Sequence, residues 1–171
     1  MTILFDLDGT LIDSTEAILE SFHNSYRFYN KTAPNDEAIK ALIGHPLDVM
    51  YRELGIKEEL VWDYVGTYKE HYRQISCLKT VMLPRAIEAV ELAAQHFQLG
   101  IVTTKTGKYS QELLEHFGLM HHFEVLIGRE HVENPKPHAE PILKAIDALT
   151  CKKESCWMIG DTRLDIASAN S

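Results

Sequence analysis

The sequence has few cysteines and no long apolar run, and each absence excludes a class of protein. Its only cysteines are Cys77, Cys151 and Cys156. An odd and sparse set argues against a disulfide framework, and Cys151 and Cys156 lack the close spacing of a zinc knuckle. We therefore expect free thiols and a reducing, cytoplasmic setting. No apolar stretch approaches the roughly 20 residues that span a bilayer, and the first residues lack a signal-peptide pattern, so we expect no membrane partner.

Positive charge is also scarce. Lysine and arginine together number 17, whereas aspartate and glutamate number 25, which gives a formal net charge of −8 with histidine neutral. This balance argues against nucleic acid as a partner. An anionic ligand therefore has to be held by individual cationic side chains rather than by the field of the whole molecule.

The apolar residues follow two different rhythms, which predict two domains. Residues 15–80 show only helical spacing, which predicts a small bundle of about four helices. From residue 81 onward, strand-like and helical segments alternate, and this alternation predicts an α/β fold with a parallel, doubly wound sheet. We therefore predict a discontinuous α/β core formed by residues 1–14 and 81–171, with a helical domain inserted over residues 15–80. After the first strand, further strands are expected at residues 99–103, 123–127 and 156–159, and helices at 84–94, 108–117, 138–149 and from 164 onward.

The most informative pattern follows the first predicted strand. The apolar residues 3–5 lead directly into Asp6 and Asp8, and then into Gly9 and Thr10. This order predicts a buried strand that ends in a tight loop. Two carboxylates at the end of a buried strand are costly unless a cation lies beside them. A divalent metal and a phosphate explain the arrangement, with one aspartate free to act as a nucleophile.

The other predicted strands also end in polar residues. Ligands of open α/β sheets bind outside the carboxyl ends of the strands, so we expect these side chains to converge at one edge. Each has an ordinary explanation when taken alone, such as a turn, a strand threonine, a solvated lysine or a helix N-cap. The residues are Thr103, Thr104 and Lys105 after the second strand, Lys136 after the third, and Asp161 and Asp165 after the fourth.

Four segments, in chain order, resemble the motifs of the haloacid dehalogenase superfamily of phosphohydrolases. One such motif alone would be weak evidence, but four motifs at successive strand ends are specific. Asp8, two residues after Asp6, matches the phosphohydrolases rather than the dehalogenases. The helical insert is similar to the C1-type cap of the phosphoglycolate phosphatase-like branch. The matching segments are residues 6–10 (Asp-Leu-Asp-Gly-Thr), Thr103, residues 134–138 (Asn-Pro-Lys-Pro-His) and residues 160–165 (Gly-Asp-Thr-Arg-Leu-Asp).

The resemblance implies a role for each motif residue. Asp6 would attack phosphorus and form an aspartyl phosphate, while Asp8 would act as general acid and then as general base. Mg²⁺ would bind the carboxylates of Asp6 and Asp161 and the backbone carbonyl of Asp8. The hydroxyl of Thr103 and the ammonium of Lys136 would hold the phosphoryl oxygens. Asp165 would orient metal-bound water or Lys136 without being a ligand of the metal itself.

The expected substrate is a small phosphorylated metabolite, and the sequence does not choose among phosphoglycolate, a nucleotide, pyrophosphate and a sugar phosphate. Gly9 and Thr104 are candidates for binding it beside the catalytic residues. Gly44 and His45 are candidates within the insert, where Gly and Pro interrupt the helices, although a solvent-facing loop histidine is an equal alternative. We expect a monomer or a homodimer.

Two alternatives to a phosphatase remain open from the sequence. One is a non-catalytic relative that binds a phosphorylated ligand or has a regulatory role. The other is a phosphomutase, which would need cap residues that hold a second phosphate. Members of the superfamily continue after the fourth motif with a full helix and at least one more strand, so we also expect residues 1–171 to be part of a longer chain, with the C-terminal part of the core missing.

Overall fold

The computed structural model describes residues 1–171, and their contacts divide them into two units. The first unit comprises residues 1–13 and 81–171, and the second comprises residues 14–80. The strands are β1 (Thr2–Phe5), β2 (Ile12–Asp13), β3 (Val81–Met82), β4 (Gln98–Val102), β5 (Val125–Ile127) and β6 (Cys156–Ile159). The helices are α1 (Thr15–Phe28), α2 (Asp36–Lys40), α3 (Leu47–Glu53), α4 (Glu58–Ile75), α5 (Ala86–Ala94), α6 (Gly107–His116), α7 (Glu140–Leu149) and α8 (Arg163–Asn170).

A sheet of four parallel strands, in the order β5-β4-β1-β6, forms the centre of the first unit. The α/β fold with a parallel sheet and a helical insert is therefore confirmed. Phe5, the last residue of β1, lies opposite Ile101 on one side and Ile159 on the other. This register brings the carboxyl ends of β1, β4 and β6 to the same edge of the sheet.

Helix α7 covers one face of this sheet. Leu4, Val102 and Ile127 from the strands form one buried cluster with Ile142 and other apolar residues of α7. Burying a side chain of this size stabilises the fold by about 1.5–3 kcal/mol. β6 lies at an edge of the sheet, where Trp157 is 63% exposed.

The sequence did not predict the short antiparallel pair formed by β2 and β3. Ile12 lies opposite Met82, and Asp13 lies opposite Val81. This pair joins the two places at which the chain leaves the first unit and returns to it. Each strand has only two residues, which is too short for an alternating pattern to show in the sequence.

The prediction that Pro84 opens a helix is wrong. Arg85 has a left-handed backbone conformation with φ of 65°, and the helix begins after it, at Ala86. A helix cannot include a residue in that conformation, so Pro84 lies in the preceding turn.

The second unit is a bundle of the four helices α1–α4, as the helical spacing predicted. Aromatic rings fill its core, with the Phe22 ring centroid 4.6 Å from that of Tyr51 and 5.2 Å from that of Tyr68. The buried Tyr51 hydroxyl lies 2.6 Å from Ser25 Oγ, which satisfies both hydroxyls. None of the helices in the chain combines the length and the apolar character that crossing a membrane requires.

Candidate active site

The loops that follow the strands of the first unit meet at the carboxyl edge of the sheet. The Asp6 N–H donates to the Ile159 carbonyl at 2.8 Å, and the Thr103 N–H donates to the Ile127 carbonyl at 2.9 Å. These bonds extend the ladders of the sheet by one residue into the loops. The first polar residues after β1 and β4 are thereby fixed by the backbone.

Lys136 lies at the centre of this edge. Its ammonium nitrogen is 3.0 Å from Asp6 Oδ1 and 2.5 Å from Asp165 Oδ1, and it donates to the Val102 carbonyl at 3.1 Å. The residue is only 3% exposed, so a solvated loop lysine is excluded. A buried ammonium needs such partners to offset the loss of its hydration. Lys136 therefore connects the loop after β1 with the end of β4 and the first turn of α8.

Asp6 is a buried carboxylate, 3% exposed. Burial raises the pKa of Asp6 to about 6, although the Lys136 ammonium opposes this shift and the Asp165 charge adds to it. Lys136 lies within ion-pair distance of Oδ1, yet this oxygen accepts no directed hydrogen bond. An oxygen in this state can bond to phosphorus or to a metal ion.

Asp165 has both carboxylate oxygens engaged. Oδ1 contacts Lys136, while Oδ2 accepts the Thr162 N–H at 3.0 Å and the Thr162 hydroxyl at 2.7 Å. Burial favours the neutral acid, but the Lys136 ammonium and the Thr162 donors outweigh it, so the pKa of Asp165 lies below its usual value. A Cβ atom at Gly160 would lie 2.2 Å from Asp165 Cγ, so this approach requires glycine.

Asp161 is exposed and faces the loop after β1. Its Oδ1 accepts the Thr10 hydroxyl at 3.0 Å. Gly9 has φ of 81°, and a Cβ atom there would lie 2.3 Å from Asp161 Oδ2. Gly9 is therefore required both by its backbone conformation and by the close approach of Asp161.

The donors at this edge fit a hard divalent cation. Asp6, Asp161 and Asp165 each offer a carboxylate oxygen, and these oxygens lie within 4.8 Å of one another. Carboxylate oxygens are the ligands that Mg²⁺ takes in proteins. Since the oxygens of Asp165 contact Lys136 and Thr162, Asp6 and Asp161 are the better donors of the three.

Asp8 forms an ion pair that the sequence did not predict. Its Oδ2 lies 3.1 Å from the Lys105 ammonium, and the Lys105 and Asp8 side chains are 9% and 12% exposed. Because Lys105 follows β4, the sequence predicted that it lies at the carboxyl edge of the sheet, but it did not predict a role for it. Thr103, on the same loop, is buried, and its hydroxyl oxygen accepts the Lys105 N–H at 3.2 Å. Thr104 lies between these two residues.

The two candidates in the insert belong to the second unit. Gly44 and His45 lie in the loop between α2 and α3. Gly44 has φ of 103°, and the His45 N–H donates to the Leu42 carbonyl at 3.0 Å. The His45 side chain is partly buried.

Carboxylates, a buried ammonium and a hydroxyl at adjoining strand ends are typical of α/β enzymes that act on phosphoryl groups. Comparisons with known proteins assign the chain within that class. Residues 3–171 match the family of haloacid dehalogenase-like hydrolases. The chain is 39% identical over 167 residues to pyrophosphatase PpaX of Halalkalibacterium halodurans, an alignment that covers 96% of this chain and 76% of that protein.

Two further similarities agree with this assignment. The chain is 30% identical over 179 residues to a phosphoglycolate phosphatase of Colwellia psychrerythraea, which covers 99% of this chain and 79% of that protein. A crystal structure from Bacteroides fragilis, described as a haloacid dehalogenase-like hydrolase, superposes with a TM-score of 0.93 at 28% identity. That match covers 99% of this chain and 82% of the other.

The chain therefore belongs to the haloacid dehalogenase-like hydrolase family, in the branch with a helical insert. The resemblance inferred from the four motifs is confirmed, and with it the assignment as a phosphatase of this type.

Proposed function

We propose that the protein hydrolyses a small phosphorylated metabolite in a Mg²⁺-dependent reaction that passes through an aspartyl phosphate on Asp6. The observation that carries this proposal is the buried Asp6 carboxylate, which lies 3.0 Å from the Lys136 ammonium at the edge where the strand ends meet. A carboxylate that is desolvated and lies beside a fixed cation is suited to attack a phosphoryl group.

The reaction has two steps in this proposal. In the first, an Asp6 oxygen bonds to phosphorus while the bond to the leaving oxygen breaks, and Asp8 gives that oxygen its proton. In the second, Asp8 takes a proton from water as the water oxygen bonds to the same phosphorus and the bond between phosphorus and the Asp6 oxygen breaks. Phosphate then leaves and the Asp6 carboxylate is restored. Two steps with one proton carrier replace a single difficult displacement.

The remaining site residues bind and orient. The Thr103 hydroxyl and the Lys136 ammonium would hold the phosphoryl oxygens, with Asp165 and Val102 keeping the ammonium in place. Asp6, Asp161 and the Asp8 carbonyl would hold Mg²⁺, and Mg²⁺ when bound neutralises charge on the phosphoryl oxygens.

The substrate proposal rests on the relatives, which are named as pyrophosphatases and a phosphoglycolate phosphatase. Each of these names describes a small molecule with a second anionic group beside the reacting phosphate. We propose that residues 15–80 form a cap domain that selects this group, with Gly44 and His45 contributing to the selection. Gly9 and Thr104 would bind the phosphoryl group in the first unit.

The test is a substrate panel of 4-nitrophenyl phosphate, phosphoglycolate and pyrophosphate, assayed with Mg²⁺ and with a chelator. We expect Mg²⁺-dependent phosphate release on at least one substrate. Asp6→Asn should lower it by roughly 10³-fold or more, because the nucleophile is lost. Asp147→Asn changes an exposed aspartate of α7 and should leave turnover unchanged. Turnover that survives Asp6→Asn would refute the nucleophile assignment.

A further inference from the structure

Lys105 forms an ion pair with Asp8, although it lies outside the four motif segments. We propose that Lys105 is a positioning residue that holds the Asp8 carboxylate where it exchanges a proton with the leaving oxygen. This inference rests on the proposed function, in which Asp8 is the proton carrier. Its structural basis is the distance of 3.1 Å between Lys105 Nζ and Asp8 Oδ2.

The backbone of Lys105 is fixed on both sides. Its N–H donates to Thr103 Oγ1 at 3.2 Å, and its carbonyl accepts the Arg129 N–H at 2.9 Å. The first bond ties Lys105 to the end of β4, and the second ties it to the loop after β5. The Cα position of Lys105, from which the side chain extends, is therefore fixed by the segments that follow β4 and β5.

The side chain is also confined along its length. The Lys105 side chain is 9% exposed, although lysine is rarely buried unless its ammonium is paired. Asp8 is buried to a similar extent, with 12% of its side chain exposed. Surface ion pairs contribute little because solvent screens them, whereas this pair is largely removed from solvent. The contact is therefore able to restrict the rotamers of Asp8.

The location of the pair explains why the restriction matters. Asp8 follows β1, whose end also carries Asp6, and Lys105 reaches it from the loop after the neighbouring strand β4. A proton carrier has to lie within hydrogen-bond reach of the leaving oxygen, and a shift of about 1 Å can lower the rate by about 10²-fold. A mobile Asp8 would often lie outside this reach. Lys105 limits that motion through a charge supplied by a different loop.

The experiment compares two aryl phosphates that carry the same phosphoryl group but leave with different basicity. Phenyl phosphate needs a proton on its leaving oxygen more than 4-nitrophenyl phosphate does. We expect Lys105→Met to lower kcat/KM on phenyl phosphate by roughly 10–100-fold and on 4-nitrophenyl phosphate by much less. Lys105→Arg keeps the charge and should recover part of the loss. Lys108→Met removes an exposed lysine in the first turn of α6 and should change neither value.

Two results of this comparison would overturn the inference. Equal losses on both substrates would show that Lys105 acts on the transferred phosphoryl group or on the fold, and no loss on either would show that Asp8 does not depend on it. A wild-type protein without Asp6-dependent turnover would instead refute the proposed function, and the catalytic role of Lys105 with it.

A double-mutant cycle of Lys105→Met and Asp8→Asn tests the contact separately. The free energy of unfolding in urea is measured for each variant, and additive effects of the two substitutions would exclude an interaction between the side chains.

Discussion

At the scale of single residues, the buried carboxylate of Asp6 lowers the stability of the fold at neutral pH. Its pKa is raised from 3.8 to about 6, mainly because burial disfavours the ionised carboxylate. The unfolded chain releases this proton near pH 4, whereas the folded protein keeps it until about pH 6. Folding is therefore linked to proton uptake between these values, and the stability contributed by Asp6 falls as the pH rises through this range.

Asp6→Asn should stabilise the fold, and the gain should depend on pH. Because the asparagine is never ionised, the gain should be small near pH 4, grow up to about pH 6 and remain constant above it. The rise of the Asp6 pKa from 3.8 to about 6 sets an upper limit of about 3 kcal/mol on this gain at pH 8. Urea unfolding of both proteins in a chelating buffer at pH 5 and pH 8 measures this difference.

Asp147→Asn is the matched control for this measurement, since Asp147 is exposed and its replacement should change stability little at either pH. A loss of stability on Asp6→Asn at pH 8 would contradict the prediction. It would mean that removing the Asp6 charge from beside Lys136 costs more free energy than burying that charge.

The sequence could predict which residues reach the carboxyl edge, but not all of their partners. Asp6, Lys136 and Asp165 follow strands whose order in a parallel sheet brings them together, and the structure shows their contacts. The pairing of Lys105 with Asp8 depends on the direction of a long side chain, which no spacing pattern specifies. The roles of these residues in the reaction remain predictions.

At the scale of elements, the helices of the insert and the four-residue strand β6 were predictable, whereas the two-residue strands were not. β6 has the predicted bounds of residues 156–159, and the helical insert has the predicted number of helices. β2 and β3 escaped prediction because a pair of two-residue strands has no period. The start of α5 was misplaced because Pro84 favours a helix start locally, whereas Arg85 takes a left-handed conformation in the folded chain.

The start of α6 depends on a side chain from another loop. Thr106 precedes the helix without capping it, and Glu130 accepts the N–H of Gly107 at 2.8 Å and that of Lys108 at 3.4 Å. A carboxylate at this position satisfies free N–H groups and interacts favourably with the helix dipole. Glu130 thereby fastens the loop after β5 to the helix that follows β4.

Glu130→Ala should destabilise the protein by about 1 kcal/mol, the usual cost of losing a helix cap. The change leaves two backbone N–H groups at the start of α6 without their acceptor. Glu133→Ala removes an exposed charge nearby and should cost less than half as much. Urea unfolding at neutral pH compares the two variants, and equal effects would show that Glu130 is not acting as a cap.

The whole molecule has a formal net charge of −8, and its acids are unevenly placed. Three carboxylates of the first unit have oxygens within 4.8 Å of one another, where mutual repulsion is strong because part of the site is buried. Lys136 offsets this repulsion for Asp6 and Asp165, and Asp161 lies on the exposed side. A divalent cation bound between Asp6 and Asp161 would therefore stabilise the folded molecule as a whole.

Mg²⁺ should raise the melting temperature of the wild-type protein, because a ligand that binds only the folded state shifts the folding equilibrium towards it. The gain is about 2.7 kcal/mol at a concentration 100 times the Kd, and each kcal/mol corresponds to about 2–4 °C for a protein of this size. Asp161→Asn removes a carboxylate donor and should abolish most of the rise, whereas Asp147→Asn removes the same charge elsewhere and should retain it. Thermal unfolding of the three proteins with Mg²⁺ and with a chelator makes the comparison. An equal rise in all three would assign the effect to general screening of the negative charge, and would place the cation away from the carboxyl edge of the sheet.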